Sequence, residues 1–257
     1  MASNTMEKPI SSGFNIVLLG FWLTIGCQNE DATFIAFDAT ENTAAFQLKT
    51  TEVRNAEFQE FVLATGHKTC AEIGLTDLPP GSFRFVADSG GICFVPGLSW
   101  KQPEADGVQP LDWENLPVVH LCRNDILAYL KWKGERLPTL NEFKLAMMHE
   151  RTAAEQSRPH GNTWQGLFPW RDVGEDGYPM RLAPVAQYNS IAGTFDLIGN
   201  AWEIVEDSCQ NGYLAAGGSY LCSPAWCRGY LTESPLCIDP NLPYGHVGFR
   251  TAKNNRP

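Results

Sequence analysis

Positive charge is scarce along this chain and is nowhere clustered. Lysine and arginine total 19 against 29 aspartates and glutamates, a net charge of −10. A phosphate-binding surface needs grouped cations, so nucleic acid is excluded as a partner. No glycine-rich loop is placed to cradle phosphates, no internal repeat is present, and no nucleophile-elbow pattern marks a Ser-His-Asp hydrolase. The histidines (His67, His120, His149, His160 and His246) have no paired ligand spacing, so no histidine metal site is expected. Helix signals are absent beyond Arg151.

Long apolar runs are also missing, with one exception. Phe14–Gly26 is a thirteen-residue apolar stretch, too short to span a bilayer comfortably but the right size for a signal-peptide core. It runs into Cys27 through Thr24-Ile25-Gly26, a context that resembles a bacterial lipobox, in which the cysteine is lipidated after cleavage. Residues 1–27 are therefore expected to be a signal or lipoprotein-type segment, residues 28–43 a linker and residues 44–257 the folded domain. On this reading the protein is exported, periplasmic or an outer-membrane lipoprotein if the source is bacterial. A membrane would then be met only through an N-terminal lipid anchor. The competing reading of the run is a buried strand.

What the chain has in quantity is apolar residues, glycine and proline. Apolar residues fill 44% of its 257 positions, enough for a substantial core, and 23 glycines and 17 prolines are scattered throughout. That pattern favours a loop-rich fold over a helical bundle or a regular parallel sheet. One helix is expected from Asn55 as N-cap to Gly66, with Phe58, Phe61 and Val62 on its inner face. A second runs from Asn124 to Lys133, burying Ile126, Leu127 and Leu130, and Gly134 ends it. A third opens with a Thr139/Glu142 capping box and carries Phe143, Leu145, Ala146 and Met147. Strands are expected at Phe83–Ala87, around Tyr213–Tyr220 and around Gly245–Ala252. Few elements and long organised loops need something besides burial to fix them, and metal ions or disulfides would serve. Eight cysteines are available, and export would permit disulfides, but their pairing cannot be read from sequence.

The densest chemistry lies in Gly217-Gly218-Ser219-Tyr220-Leu221-Cys222-Ser223-Pro224-Ala225-Trp226-Cys227. Two thiols so close, in a segment with two glycines and a proline, can meet across a turn. They could be a plain disulfide, half of a zinc site, or a reactive dithiol that clamps a soft metal. Zinc wants four ligands, and no second Cys/His pair sits nearby. Two thiolates alone suit Cu(I), which accepts linear coordination.

This run, followed by His246-Val247-Gly248-Phe249-Arg250, resembles the C-terminal core of the formylglycine-generating enzyme (sulfatase-modifying factor) family. Further pieces match in the same order. They are Thr50–Phe58, Val95–Trp100, Pro117–His120, Gly134–Thr139 with Glu142-Phe143, Asn162–Pro169, Gly174–Tyr178 and Gly199-Asn200-Ala201-Trp202-Glu203. The resemblance implies a single α+β domain with little regular secondary structure, related to C-type lectin folds. It also implies a copper- and O2-dependent oxidase that converts a cysteine in an unfolded sulfatase segment, of Cys-x-Pro-x-Arg type, to Cα-formylglycine. Cys222 and Cys227 would hold Cu(I), with the substrate thiolate as a third sulfur, and Ser219 and Trp202 would line the pocket. The plain alternatives for those two are a turn hydroxyl and a core aromatic.

Two calcium ions are implied as well. Asn162, Asp176 and the carbonyls of Thr163 and Tyr178 would form one oxygen cage, and Asp196, Glu203 and the carbonyls of Gly199 and Ala201 the other. Hard oxygen ligands on irregular backbone are what Ca2+ requires. Solvated loop carboxylates are the plain alternative.

The chain departs from the family at several points. After Cys227 it has Arg228–Pro235 in place of an Arg/Tyr-rich run, and Ser223-Pro224-Ala225 replaces more polar residues. Cys122 and Arg123 stand where Ser and Trp are usual, and no Gly-Gly-x-Phe opening strand is recognisable before Phe46. These changes leave two other readings open. One is the same copper-thiolate chemistry on a different substrate, such as a small thiol or a natural product being tailored. The other is a non-catalytic, calcium-stabilised, exported binding module with a structural Cys222–Cys227 disulfide.

Overall fold

The computed structural model describes Met1 and residues 33–104, 107–154, 161–188, 193–223, 227 and 234–255, with the backbone alone for 149–154. The apolar stretch Phe14–Gly26, Cys27, Pro224–Trp226, residues 228–233, His160 and the His149 side chain lie outside them. The chain divides into two units, Met1–Glu30 and Asp31–Pro257, and every element below belongs to the second.

Strand β1 (Phe34–Phe37) pairs antiparallel with β2 (Phe46–Lys49), bringing Phe34 opposite Lys49 and Phe37 opposite Phe46. It falls inside the stretch read as a linker, so the folded unit reaches back before Ala44. Helix α1 (Asn55–Thr65) follows, its N-cap being Arg54 and not Asn55. Glu57 accepts the Arg54 backbone N–H at 3.0 Å, and the Asn55 side chain donates to the Trp113 carbonyl at 2.8 Å. Gly66 ends the helix at φ 68°, a left-handed conformation that suits glycine.

A four-residue helix, α2 (Cys70–Ile73), leads to the hairpin of β3 (Gly81–Val86) and β4 (Gly91–Pro96). Helix α3 (Arg123–Lys133) turns Ile126, Tyr129 and Leu130 inward; Leu127, expected in the core, is 38% exposed, and Tyr129 takes the inner position. Helix α4 (Leu140–Ala154) starts as expected. Thr139 accepts the Glu142 N–H at 3.2 Å and Glu142 accepts that of Thr139 at 2.8 Å. Phe143, Ala146 and Met147 are buried beneath it.

The rest of the described chain is β-strand and loop. A short hairpin joins β5 (Gly166–Leu167) to β6 (Arg171–Asp172). Then come β7 (Trp202–Cys209), β8 (Gly212–Ala216), β9 (Leu236–Ile238), β10 (Val247–Gly248) and β11 (Ala252–Asn254). One sheet has the order β1-β2-β11 and another β10-β7-β8-β9, where β10 runs parallel to β7 and the other pairs are antiparallel. Strand β8 stops at Ala216 instead of reaching Tyr220, because Gly217 and Gly218 both take positive φ. Disulfides join Cys209, at the end of β7, to Cys237 in the middle of β9, and Cys70 to Cys122, between α2 and α3.

The inner half of β7 is buried, Glu203 included. That carboxylate takes the fully buried Arg250 in a bidentate pair, Nε to Oε2 at 2.5 Å and Nη2 to Oε1 at 2.6 Å. Arg250 also donates to the carbonyls of Lys49, Thr50 and Phe195. Removing one partner strands the other charge in the core. Glu203→Gln is therefore expected to cost about 3–5 kcal/mol of unfolding free energy, read from urea denaturation.

Candidate active site

Two irregular segments are zipped together to make the site. One is Asp196–Ala201, where Asp196, Gly199 and Asn200 have φ of 57°, 81° and 56°. The other is Gly217–Cys222. Gly199 donates to the Gly217 carbonyl at 2.9 Å and Tyr220 to that of Asn200 at 3.0 Å. A Cβ on Gly217 would meet the Leu197 carbonyl at 2.9 Å and the Phe143 ring at 3.2 Å, so the approach depends on glycine there.

The Gly217 turn delivers Ser219, fully buried, and then Cys222, 1% exposed. The Ser219 carbonyl accepts the Cys222 N–H at 2.9 Å, its Oγ accepts that of Leu221 at 3.3 Å, and its own N–H points at the Cys222 sulfur at 3.4 Å. Cys227 is half-buried, with its Cα 4.6 Å from that of Cys222, and the structure joins the two as a disulfide. Trp202, at the start of β7, is buried in the same apolar cluster as Trp100 and Cys222, and Cys227 packs against that cluster. The structure thus places Ser219 against Cys222, joins Cys222 to Cys227, and buries Trp202 in the cluster that holds Cys222.

A cleft of about 520 Å³ borders this region, and Tyr220 contributes to its wall. Arg84 and Glu104, paired at 2.6 Å, also line it, together with His120 and Arg181. His120 is fully buried, and burial foremost pulls its pKa down to about 3, so it stays neutral.

Of the first expected oxygen cage, Asp176 lies against Thr163 and Tyr178, accepting their backbone N–H groups at 3.2 and 2.9 Å. Burial raises its pKa. Asn162 donates to the Arg181 carbonyl and to Asn200 Oδ1, while its own Oδ1 is buried with no partner.

In the second, Asp196 is nearly buried and accepts N–H bonds from Ala186 and Tyr188. Glu203 is committed to Arg250. The carboxylate that reading the sequence missed is Glu52, fully buried at the foot of α1. Its Oε1 takes the Asn200 side-chain amide at 2.9 Å and its Oε2 has no partner. Asn200 was missed as well, yet its side chain ties together Glu52, Asn162 and Ala183. The available signal was a buried-type carboxylate in the matched Thr50–Phe58 piece.

Three buried carboxylates thus surround one guanidinium. Burial, and then the charges of Asp196 and Glu203, raise Glu52 well above the usual range. Asp196 is pushed up to about 6, by burial before all else.

The chain belongs to the sulfatase-modifying factor enzyme 1-like domain family, whose pattern matches residues 15–255. It is 32% identical over 256 residues to the formylglycine-generating enzyme of Thermomonospora curvata, with 83% of each chain covered. Over a shorter stretch of 126 residues it is 39% identical to the inactive Cα-formylglycine-generating enzyme 2 of Mus musculus, covering 45% of this chain and 40% of that one. Among solved structures, PvdO from Pseudomonas aeruginosa superimposes with a TM-score of 0.57 at 16% identity, over 82% of this chain and 81% of that one. That likeness speaks for the fold alone. The α+β domain expected from the sequence is the one observed.

A carboxyl whose folded pKa exceeds its unfolded value contributes stability that is full at low pH and lost as pH rises through the folded pKa. Asp196 therefore weakens the fold between its unfolded value, about 4, and its folded value of about 6. In calcium-free buffer, wild type is expected to lose stability relative to Asp196→Asn across that window, with a constant difference above it. Urea midpoints at stepped pH measure this.

Proposed function

We propose that this protein oxidises a cysteine side chain in an unfolded peptide of Cys-x-Pro-x-Arg type to Cα-formylglycine. The observation that carries the reading is the meeting of Cys222 and Cys227, with Ser219 against the Cys222 sulfur and Trp202 in the same apolar cluster. The formylglycine-generating relatives support it. In the overall balance one O2, the substrate thiol and two external thiols give the aldehyde, hydrogen sulfide, one disulfide of the external thiols and one water. The carbon–sulfur bond of the substrate breaks and a carbon–oxygen double bond forms in its place. Two of the four electrons that O2 takes come from the substrate and two from the external thiols.

The sites fit the metals that the family implies. With the Cys222–Cys227 bond reduced, two thiolates would hold Cu(I), a soft ion, and copper would supply the redox chemistry with O2. Cys222 presents a buried sulfur that accepts the Ser219 N–H, while half-buried Cys227 stands nearer solvent, where a substrate thiolate would approach. Trp202 and the apolar cluster behind it keep water away. The cleft walled by Tyr220 receives the neighbouring peptide residues. Calcium would be held at Asp176 and Asn162, whose Oδ1 lacks a partner, and at Asp196 with Glu52, whose Oε2 lacks one. Its charge would offset the excess carboxylates. The Cys70–Cys122 and Cys209–Cys237 disulfides support export to an oxidising compartment.

A second reading keeps the chemistry and changes the substrate. It is favoured by Arg228–Pro235, which departs from the family's run after the second cysteine. The partial likeness to an inactive relative leaves room for a binder in which the Cys222–Cys227 disulfide is permanent.

One experiment separates these. Reduced protein with one equivalent of Cu(I), incubated in air with thiol and a Cys-x-Pro-x-Arg peptide, is expected to convert the peptide cysteine to aldehyde by mass spectrometry. Cys222→Ala and Cys227→Ala should each abolish conversion. Copper bound through both cysteines with the peptide untouched would point to another substrate, and a disulfide that takes up no copper after reduction would sink the enzyme reading. Calcium is expected to raise the melting temperature by scanning calorimetry, less so in Glu52→Gln.

A further inference from the structure

Away from Cys222 and Cys227, a second pair of sulfurs sits among ligand-type side chains. Cys70 opens α2, Cys122 caps α3, and the two are bonded to each other. Asp125 lies with them, so that both sulfurs and a carboxylate oxygen fall within 4.8 Å of one another. Its Oδ2 accepts the backbone N–H groups of Cys122 at 2.9 Å and Cys70 at 3.2 Å. Its Oδ1 meets His67 Nε2 at 2.8 Å. The His67 and Asp125 side chains are 23% and 4% exposed. Two short segments, His67-x-x-Cys70 and Cys122-x-x-Asp125, thus bring four potential ligands together. A disulfide and a helix cap account for three of them, and the imidazole is held against the group by its bond to Asp125 and its contact with the Phe61 ring.

We propose that, once the Cys70–Cys122 bond is reduced, His67, Cys70, Cys122 and Asp125 form a tetrahedral zinc site. Two thiolates with an imidazole and a carboxylate are the mixed donor set of a borderline-soft ion, whereas calcium would take oxygens alone. Zinc–ligand bonds of about 2.0–2.3 Å put neighbouring ligand atoms roughly 3–4 Å apart. The two N–H groups on Oδ2 hold the carboxylate in place as outer partners of a metal ligand do.

Disulfide and zinc exclude each other, because zinc binds thiolates. A phosphine reductant opens the site: with one water it takes the oxygen, becomes the phosphine oxide and leaves two thiols. Zinc then displaces the two thiol protons to solvent. The junction of α2 and α3 is accordingly locked by a covalent bond under oxidising conditions and by a metal under reducing ones. Its histidine lies far in sequence from Cys122 and Asp125, which is why histidine spacing alone gave no sign of it.

The test uses the full chain with Cys222→Ser and Cys227→Ser, which removes the other thiol pair proposed to bind metal. After anaerobic phosphine reduction it is titrated with Co2+ and then with Zn2+. One equivalent of Co2+ is expected to give the visible bands of a tetrahedral thiolate site, bleached by Zn2+. Adding Cys70→Ser or His67→Ala should abolish the bands. The His67→Ala chain, oxidised with its disulfide intact, should keep the parent's far-UV circular dichroism and a cooperative melt, so its loss of cobalt is not a folding defect. Cobalt bound equally by the His67→Ala chain overturns the proposal. So does a reduced parent that takes up no cobalt, whether or not it keeps its far-UV circular dichroism.

Discussion

Arg250 is the residue around which the domain is assembled. Its guanidinium is fully buried and its donors are shared among Glu203 and the carbonyls of Lys49, Thr50 and Phe195. One side chain therefore holds the end of β2, the loop entering Asp196 and the inner half of β7. An arginine suits the task because its planar fork matches a carboxylate bidentately and still has donors left for carbonyls. The pair contributes less net stability than its Coulomb attraction suggests, since both charges were taken out of water. Its value is positional: β7 cannot slide without stranding a charge.

That fixed strand begins at Trp202, and the loops on either side inherit its rigidity. Gly199 and Asn200 in left-handed conformations turn the chain back on the Gly217 segment, which in turn aims Cys222 and Ser219. The candidate site residues therefore sit on irregular backbone, yet that backbone is anchored by hydrogen bonds to its neighbours around a buried strand. The asymmetry between a buried Cys222 and a half-buried Cys227 follows from this arrangement. It also leaves excess buried carboxylate at Glu52, Asp196 and Glu203, for which a cation is the natural remedy.

Much of the helical framework was legible because its signals are local. Gly66 and Gly134 stop α1 and α3, and Thr139 with Glu142 opens α4 through bonds a few residues long. Where a local rule misled, a distant partner had overridden it. Asn55 reads as an N-cap, but its amide is drawn to Trp113. Strand β7 was missed because Glu203, Glu206 and Asp207 break its apolar alternation, and Glu203 is buried only by virtue of Arg250. Strand β1 was missed because short, isolated pieces take their identity from the strand they pair with.

The sequence by itself determined the family, the α+β class and the closeness of Cys222 to Cys227, since glycines, caps and the spacing of two cysteines are properties of neighbouring residues. Only the tertiary structure decided which carboxylates are buried together, that Glu203 belongs to Arg250, that Glu52 and Asn200 join the site, and that His67 meets Cys70, Cys122 and Asp125. Each of these rests on groups far apart in the chain. Their burial and charge coupling exist only after the backbone has closed, so no local pattern could carry them.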